Sequence, residues 1–259
     1  MLRFALIAAV MLPGVALAAP PVDLLSHRAA YRLSLASSDN LGGIVSVRGA
    51  LVLEWRAECD GSTSQQRLGF VADTDEGQNF AYDVRFSSWE SNDAKKMRFA
   101  TRSFDDNKLK EEFRGSATID PEKGEVRYEV PSGKVVSLPA GTVFPTRHIV
   151  DLIQAAKAGE RFVAREVFDG AGPDAINRVT AVIGQPRQVK LAAEAGEETR
   201  WPVSLAYYEN DEGDGSPTFQ ISFQINEGGV LNDVRLDYGE FSLKGELQKL
   251  ERLPGPTCD

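Results

Sequence analysis

Along most of the chain, apolar and polar residues alternate in short runs, and Gly, Asn or Asp stand between the runs. A period of two marks half-buried strands, because successive side chains of a strand point to opposite faces. The runs begin with Tyr31-Leu33-Leu35, Val45-Val47 into Leu51-Leu53-Trp55, Phe80-Tyr82-Val84-Phe86, Met97-Phe99, Phe113 to Ile119 and Val126-Tyr128-Val130. They continue with Phe162 to Phe168, Val179 to Ile183, Val203 to Tyr207, Phe219-Ile221-Phe223-Ile225, Leu231 to Tyr238 and Phe241-Leu243 to Leu247. This predicts about a dozen strands or slightly more, at the spacing of sandwiches and barrels. The pairs Asp60-Gly61, Glu76-Gly77, Lys123-Gly124, Ser132-Gly133, Asp169-Gly170 and Gly228-Gly229 each fall between two runs, so hairpins outnumber crossovers.

Helical period occurs once, over Thr146 to Ala158, where Ile149, Leu152, Ile153 and Ala156 share a face. Thr146 after Pro145 reads as its N-cap and Gly159 as its C-terminal stop. One helix among so many strands most simply plugs or covers an open face of the sheet. No Pro/Ser-rich linker, composition break or fixed-period repeat divides the chain, which predicts a mostly β protein with one domain over residues 19–259.

The first residues read differently. Arg3, the apolar run Phe4 to Leu12, the Pro13-Gly14 break and Ala16-Leu17-Ala18 have the layout of a secretory signal peptide over residues 1–18, cut after Ala18 or Ala19. The run falls far short of the ~20 residues that cross a bilayer, no later stretch comes close, and no Cys follows the cleavage site to accept lipid. The expectation is an exported protein that does not span the membrane.

Composition narrows the function. With 38 acidic against 29 basic residues, attraction to nucleic acid is disfavoured, since binding a phosphate polymer needs clustered Lys and Arg. Two Cys and two His leave too few ligands for a structural zinc. In an oxidising compartment, Cys59 and Cys258 read as a disulfide joining the C-terminus to the N-terminal third; two free thiols are the alternative.

Catalytic signatures are weak. There is no GxSxG and no GxxxxGK[ST]. His148, in the first helical turn, and His27, opening the first strand, read as structural. Gly170-Ala171-Gly172-Pro173-Asp174-Ala175 fits GxGxxA but lacks a following helix and reads as a hairpin loop. Asp211, Glu212 and Asp214 lack EF-hand spacing and read as a hydrated loop, as does Asp73 to Gly77. A carboxylate pair of glycosidase type has no locatable position. Trp55, Trp89, Trp201, Tyr207 and Tyr208 read mostly as core. No catalytic residue, cofactor or metal is assigned.

Three groups of residues together resemble a known family. The first is His27-Arg28-Ala29 with Tyr31-Leu33-Leu35, then Trp55 and Cys59-Asp60-Gly61. The second is Leu138-Pro139-Ala140-Gly141-Thr142, Phe144-Pro145-Thr146 and His148, Ala155 to Glu160 and Val167-Phe168-Asp169-Gly170. The third is Leu236 to Phe241 with Gly245, Leu250-Glu251 and Cys258. They resemble the EipB-type cell-envelope-integrity family of alphaproteobacterial periplasmic proteins; one departure is Ser62, where the family pattern leads one to expect an aromatic. The resemblance implies a long antiparallel sheet coiled into a β-spiral or open barrel around a packed helix, a Cys59–Cys258 disulfide and a role in envelope integrity. It also implies a periplasmic partner built of tetratricopeptide repeats, and it lends no catalytic residue.

The function expected is a non-enzymatic periplasmic scaffold or interaction protein. The alternative is a carrier that holds a lipid or other amphipathic envelope molecule inside the curved sheet.

Overall fold

A computed structural model describes residues 22–39, 43–120, 122–172, 176–191, 196–209 and 215–258. The expected leader with its cleavage positions, and the acidic residues Asp211, Glu212 and Asp214, lie outside these. The first half contains β1 (His27–Ser38), β2 (Ile44–Ala57), β3 (Gly61–Thr74), β4 (Asn79–Ser91), β5 (Lys96–Asp105), β6 (Lys108–Ile119), β7 (Gly124–Val130) and β8 (Val135–Leu138). After α1 (Pro145–Ala158) come β9 (Phe162–Phe168), β10 (Ile176–Ile183), β11 (Arg187–Lys190), β12 (Glu197–Glu209), β13 (Phe219–Asn226), β14 (Leu231–Asp237) and β15 (Phe241–Arg252).

All these strands belong to one antiparallel sheet, ordered β8-β7-β6-β5-β4-β3-β2-β1-β15-β14-β13-β12-β10-β9, with β11 beside the start of β12. The chain meanders from β1 to β8, passes through α1, and meanders back from β9 to β15, which pairs with β1 from His27↔Arg252 to Ser38↔Phe241. The result is a nearly closed barrel, as the sequence leads one to expect. Its one unladdered seam, between β8 and β9, is where the helical connection lies.

The seam is held by side chains and a single bridge. Val143 pairs with Val167 beyond the end of β8. Phe144 and Phe168 pack with Met97, Phe99, Val126, Tyr128 and Leu138 from the opposite wall. Phe99 meets Phe168 edge-on at 5.3 Å and Tyr128 at 5.6 Å. The β9–β10 loop is pinned to the same wall, because Thr101 donates to the Gly170 carbonyl (2.8 Å) and Tyr128 to the Gly172 carbonyl (2.7 Å). GxGxxA is thus a loop between two strands, with Pro173 to Ala175 outside the described residues.

The helix buries Leu152, Ile153, Ala155 and Ala156 in the main core and packs against β9 and β10. It begins one residue earlier than the sequence suggests: Phe144 is the N-cap, Pro145 takes the first helical position and no side chain of the helix caps it. Thr146 is therefore not the N-cap, because the fixed φ of proline suits the first turn and leaves Thr146 inside it. Gly159 does end the helix, at φ 79°, its N–H donating to Ala156 while Glu160 donates to Ala155.

Three strands go beyond the apolar runs: β3, β8 and β11. In β3 the inward positions Ser64 and Gln66 are polar, which erases the alternation. Among the aromatics, Trp201 is core and Trp55 and Tyr207 face inward, whereas Trp89 and Tyr208 lie on the outer face. Arg98 covers the Trp89 ring at 4.6 Å, and the Trp89 indole donates to Asp60 at 3.4 Å. An aromatic ring thus stands beside the turn that precedes Ser62, supplied by β4.

Candidate binding chamber

Inward side chains of β1 to β4 and β12 to β14, with the first turn of α1 and Val167, Asp169 and Asn177 of β9, its following loop and β10, line a chamber of about 590 Å³. That lies within the ~300–1,000 Å³ usual for ligand clefts. Its walls are apolar in the middle, with Leu51, Leu53, Leu68, Val84, Phe223 and Leu236. On β4 the lining runs from Glu90 to Tyr82, about 26 Å at ~3.3 Å per residue. The two ends differ. Around Tyr82 the lining is aromatic, with Tyr207, Phe219 and Tyr238, and Tyr238 is 37% exposed. Around Glu90 it is polar, with buried His27 and His148 and half-buried Ser64, Gln66 and Thr146.

Strand register builds the polar end. His27 stands opposite Trp55, Trp55 opposite Ser64, and Ser64 opposite Ser88, two residues from Glu90 on the same face of β4. Glu90 reaches the helix start, where Thr146 donates its N–H to both carboxylate oxygens (3.1 Å each) and its hydroxyl to one (2.9 Å). An acceptor from a distant strand thus satisfies helix donors that no helical side chain caps. Burial pushes the Glu90 carboxyl up to about 7, against the pull of the Thr146 bonds.

Both histidines are buried and neutral. His27 Nδ1 lies 2.7 Å from the Leu25 carbonyl, an acceptor, so the ring proton sits on Nδ1 and Nε2 keeps its lone pair. Burial lowers the His27 pKa and takes that of His148 down to about 4, although Asp151 pulls the latter upward. Neither Nε2 has a hydrogen-bond partner among the described residues, nor does the Ser88 hydroxyl.

Among the described residues no Lys or Arg lines the chamber. Elsewhere Arg28 pairs with Glu54, Arg67 with Asp83, Arg102 with Glu112, and both Arg147 and Arg165 with Asp151.

Cys59, in the turn after β2, and Cys258, in the tail after β15, form a disulfide with S–S 2.08 Å and Cα atoms 5.6 Å apart. Neither lines the chamber. The sequence reading held an interior binding space only as its alternative and missed Glu90 and the polar end. The available signal was the same period of two: Phe80, Tyr82, Val84 and Phe86 put Ser88 and Glu90 on the inner face.

Fold and chamber define a class: a barrel-like antiparallel β protein wrapped around one helix, with an apolar interior and a polar floor. A family model described as EipB-like matches residues 18–254, and the chain belongs to that family. It is 35% identical over 246 residues to the cell envelope integrity protein EipB of Brucella abortus (strain 2308), covering 92% of this chain and 88% of that protein. It is also similar to the crystal structure of a beta-barrel-like protein of a domain of unknown function from Brucella abortus. There the TM-score is 0.85 at 33% identity, over 90% of this chain and 100% of the other. No helix among the described residues is long and apolar enough to cross a membrane.

Proposed function

We propose that this protein is exported to the periplasm, folds there as one unit over residues 19–259, and supports envelope integrity by holding an amphipathic molecule inside its barrel. The observation that carries this reading is the apolar chamber of about 590 Å³ between sheet and helix. A core meant only for stability is packed to crystal-like density, and a void of this size forfeits contacts along its whole lining. The reading assigns the chain no catalytic step. Native mass spectrometry on protein purified gently from periplasm tests it: a co-purifying small amphiphile is expected. Bare protein that also fails to bind an environment-sensitive naphthalene dye saturably would overturn it.

A second reading, a scaffold that docks a periplasmic protein, has its own observation. Phe162 and Val182 are directly opposite each other on β9 and β10 and are 61% and 56% exposed, an outer-face apolar pair beside the seam. A tetratricopeptide-repeat protein is the partner the family resemblance implies. Crosslinking from Phe162 in intact envelopes tests this, and a F162S variant that captures the same proteins equally well would count against it.

A further inference from the structure

The chamber's polar floor specifies more than an amphiphile. We propose that it takes a long-chain molecule with an uncharged hydrogen-bond donor, a hydroxyl or amide, seated between His27 and His148, and that it rejects the carboxylate of the same chain. This rests on the carrier reading above and deepens it.

The argument begins with unsatisfied atoms. His27 and His148 border the chamber in side chains only 3% and 4% exposed, and the Nε2 atom of each is buried without a hydrogen-bond partner among the described residues. A buried polar atom left unpaired costs free energy that a hydrogen bond from a bound molecule recovers. For His27 the sense of that bond is fixed. Its Nδ1–H is spent on the Leu25 carbonyl, so Nε2 is an acceptor and needs a donor. Trp55 ties the two sides of the floor together, being paired in register with His27 and donating to the Thr146 hydroxyl at 3.5 Å, two residues before His148.

Charge then decides between head groups. An alcohol or amide supplies a donor to Nε2 and carries no charge into the chamber. A carboxylate has only lone pairs to offer. It would face the acceptor of His27 and the Glu90 carboxyl, with no Lys or Arg among the described residues lining the chamber to pair with it. The nearest cations to His148, Arg147 and Arg165, are both spent on Asp151. Burying an unpaired carboxylate is costly enough to keep such a molecule out or hold its head in solvent. The aromatic end around Tyr82, Phe219 and Tyr238 then receives the far end of the chain.

The test uses decanol and decanoate, identical in chain and different in head, each displacing the naphthalene dye from the oxidised protein at about pH 8, where decanoate is ionised. Decanol is expected to bind at least about tenfold tighter. The chain contains two histidines, so each imidazole gives its own ring-nitrogen signals in long-range proton–nitrogen spectra. Decanol should shift Nε2 of both. Decanoate binding as tightly as decanol, or decanol binding with both Nε2 signals unmoved, overturns the inference and leaves the carrier reading standing. If the dye binds and neither compound displaces it, this inference falls and the carrier reading stands; if the protein is bare and the dye itself does not bind, the carrier reading falls and this inference with it.

Discussion

Replacing Glu90 by Gln tests whether its carboxyl lies in the interior and carries a pH-dependent penalty there. Gln keeps an oxygen to accept from Thr146 and removes the charge. The Glu90 pKa rises from the ordinary 4.5 to about 7 on folding, chiefly through burial. A folded-state pKa above the unfolded one means that the native state binds the proton more tightly. The group's stabilising contribution is complete below about pH 4.5 and is lost as pH rises to about 7. At ~1.36 kcal/mol per pH unit this interval is worth about 3 kcal/mol. Glu90→Gln should therefore match the wild type near pH 4.5 and gain steadily to about 3 kcal/mol above pH 7. Urea unfolding at a series of pH values, with the disulfide intact, reads the difference between the two proteins. His148, neutralised by burial, acts in the opposite sense, its contribution present above about pH 6.5 and lost as pH falls toward 4. Asp169, pushed up to about 6, acts in the same sense as Glu90. Both are common to the two proteins and cancel in the difference. A difference that stays flat from pH 5 to pH 8, or a variant that weakens as pH rises, would refute the reasoning.

Other perturbations probe the frame. Cys258→Ser frees a loop of 199 residue steps, for which chain entropy gives an upper figure of about 5 kcal/mol; equal melting of the wild type with and without reductant would sink this expectation. Gly49→Ala would place a Cβ 2.4 Å from the Gly69 carbonyl oxygen and 2.5 Å from Phe70 Cβ, forcing β2 from β3, and should cost ~2 kcal/mol or more by thermal melting. Gly133→Ala meets nothing within 4 Å and should cost only ~1 kcal/mol, from its φ of 78°. Amide exchange should be faster in four-residue β8, at the seam, than in β1, which is laddered on both sides; the reverse order would contradict the closure described.

The strands were legible wherever one face is apolar and the other polar, because alternation is then visible in single residues: Phe80 to Phe86 reads as β4 at once. β3 was not, since its first half presents Ser64 and Gln66 to a chamber rather than to a packed core. The helix was legible from Ile149, Leu152, Ile153 and Ala156, but its start was not. Thr146 looks like a local cap, and only the register of β4 shows that its donors belong to Glu90, 56 residues earlier. The polar floor escaped for the same reason. His27, Glu90 and His148 lie far apart in the chain, and each alone reads as an ordinary structural or surface residue. Trp89 erred the other way: as an aromatic it suggests core, yet its odd place between Ser88 and Glu90 turns it outward.

These observations fit one plan. A meander that leaves β1 in one direction and returns beside it as β15 closes the barrel where the chain's two ends meet, by a ladder and by the Cys59–Cys258 bond near its end. The opposite seam has no ladder, and there the chain spends its helix. Placing α1 there does two things at once. Its apolar face fills the part of the barrel bounded by β9 and β10, and its first turn stops at the chamber, where Glu90 rather than a helical side chain accepts from the Thr146 N–H and hydroxyl. A local cap would have left Glu90 buried without donors. The polar floor thus follows from how the helix is capped, and the apolar walls follow from the period-two pattern with which the chain begins.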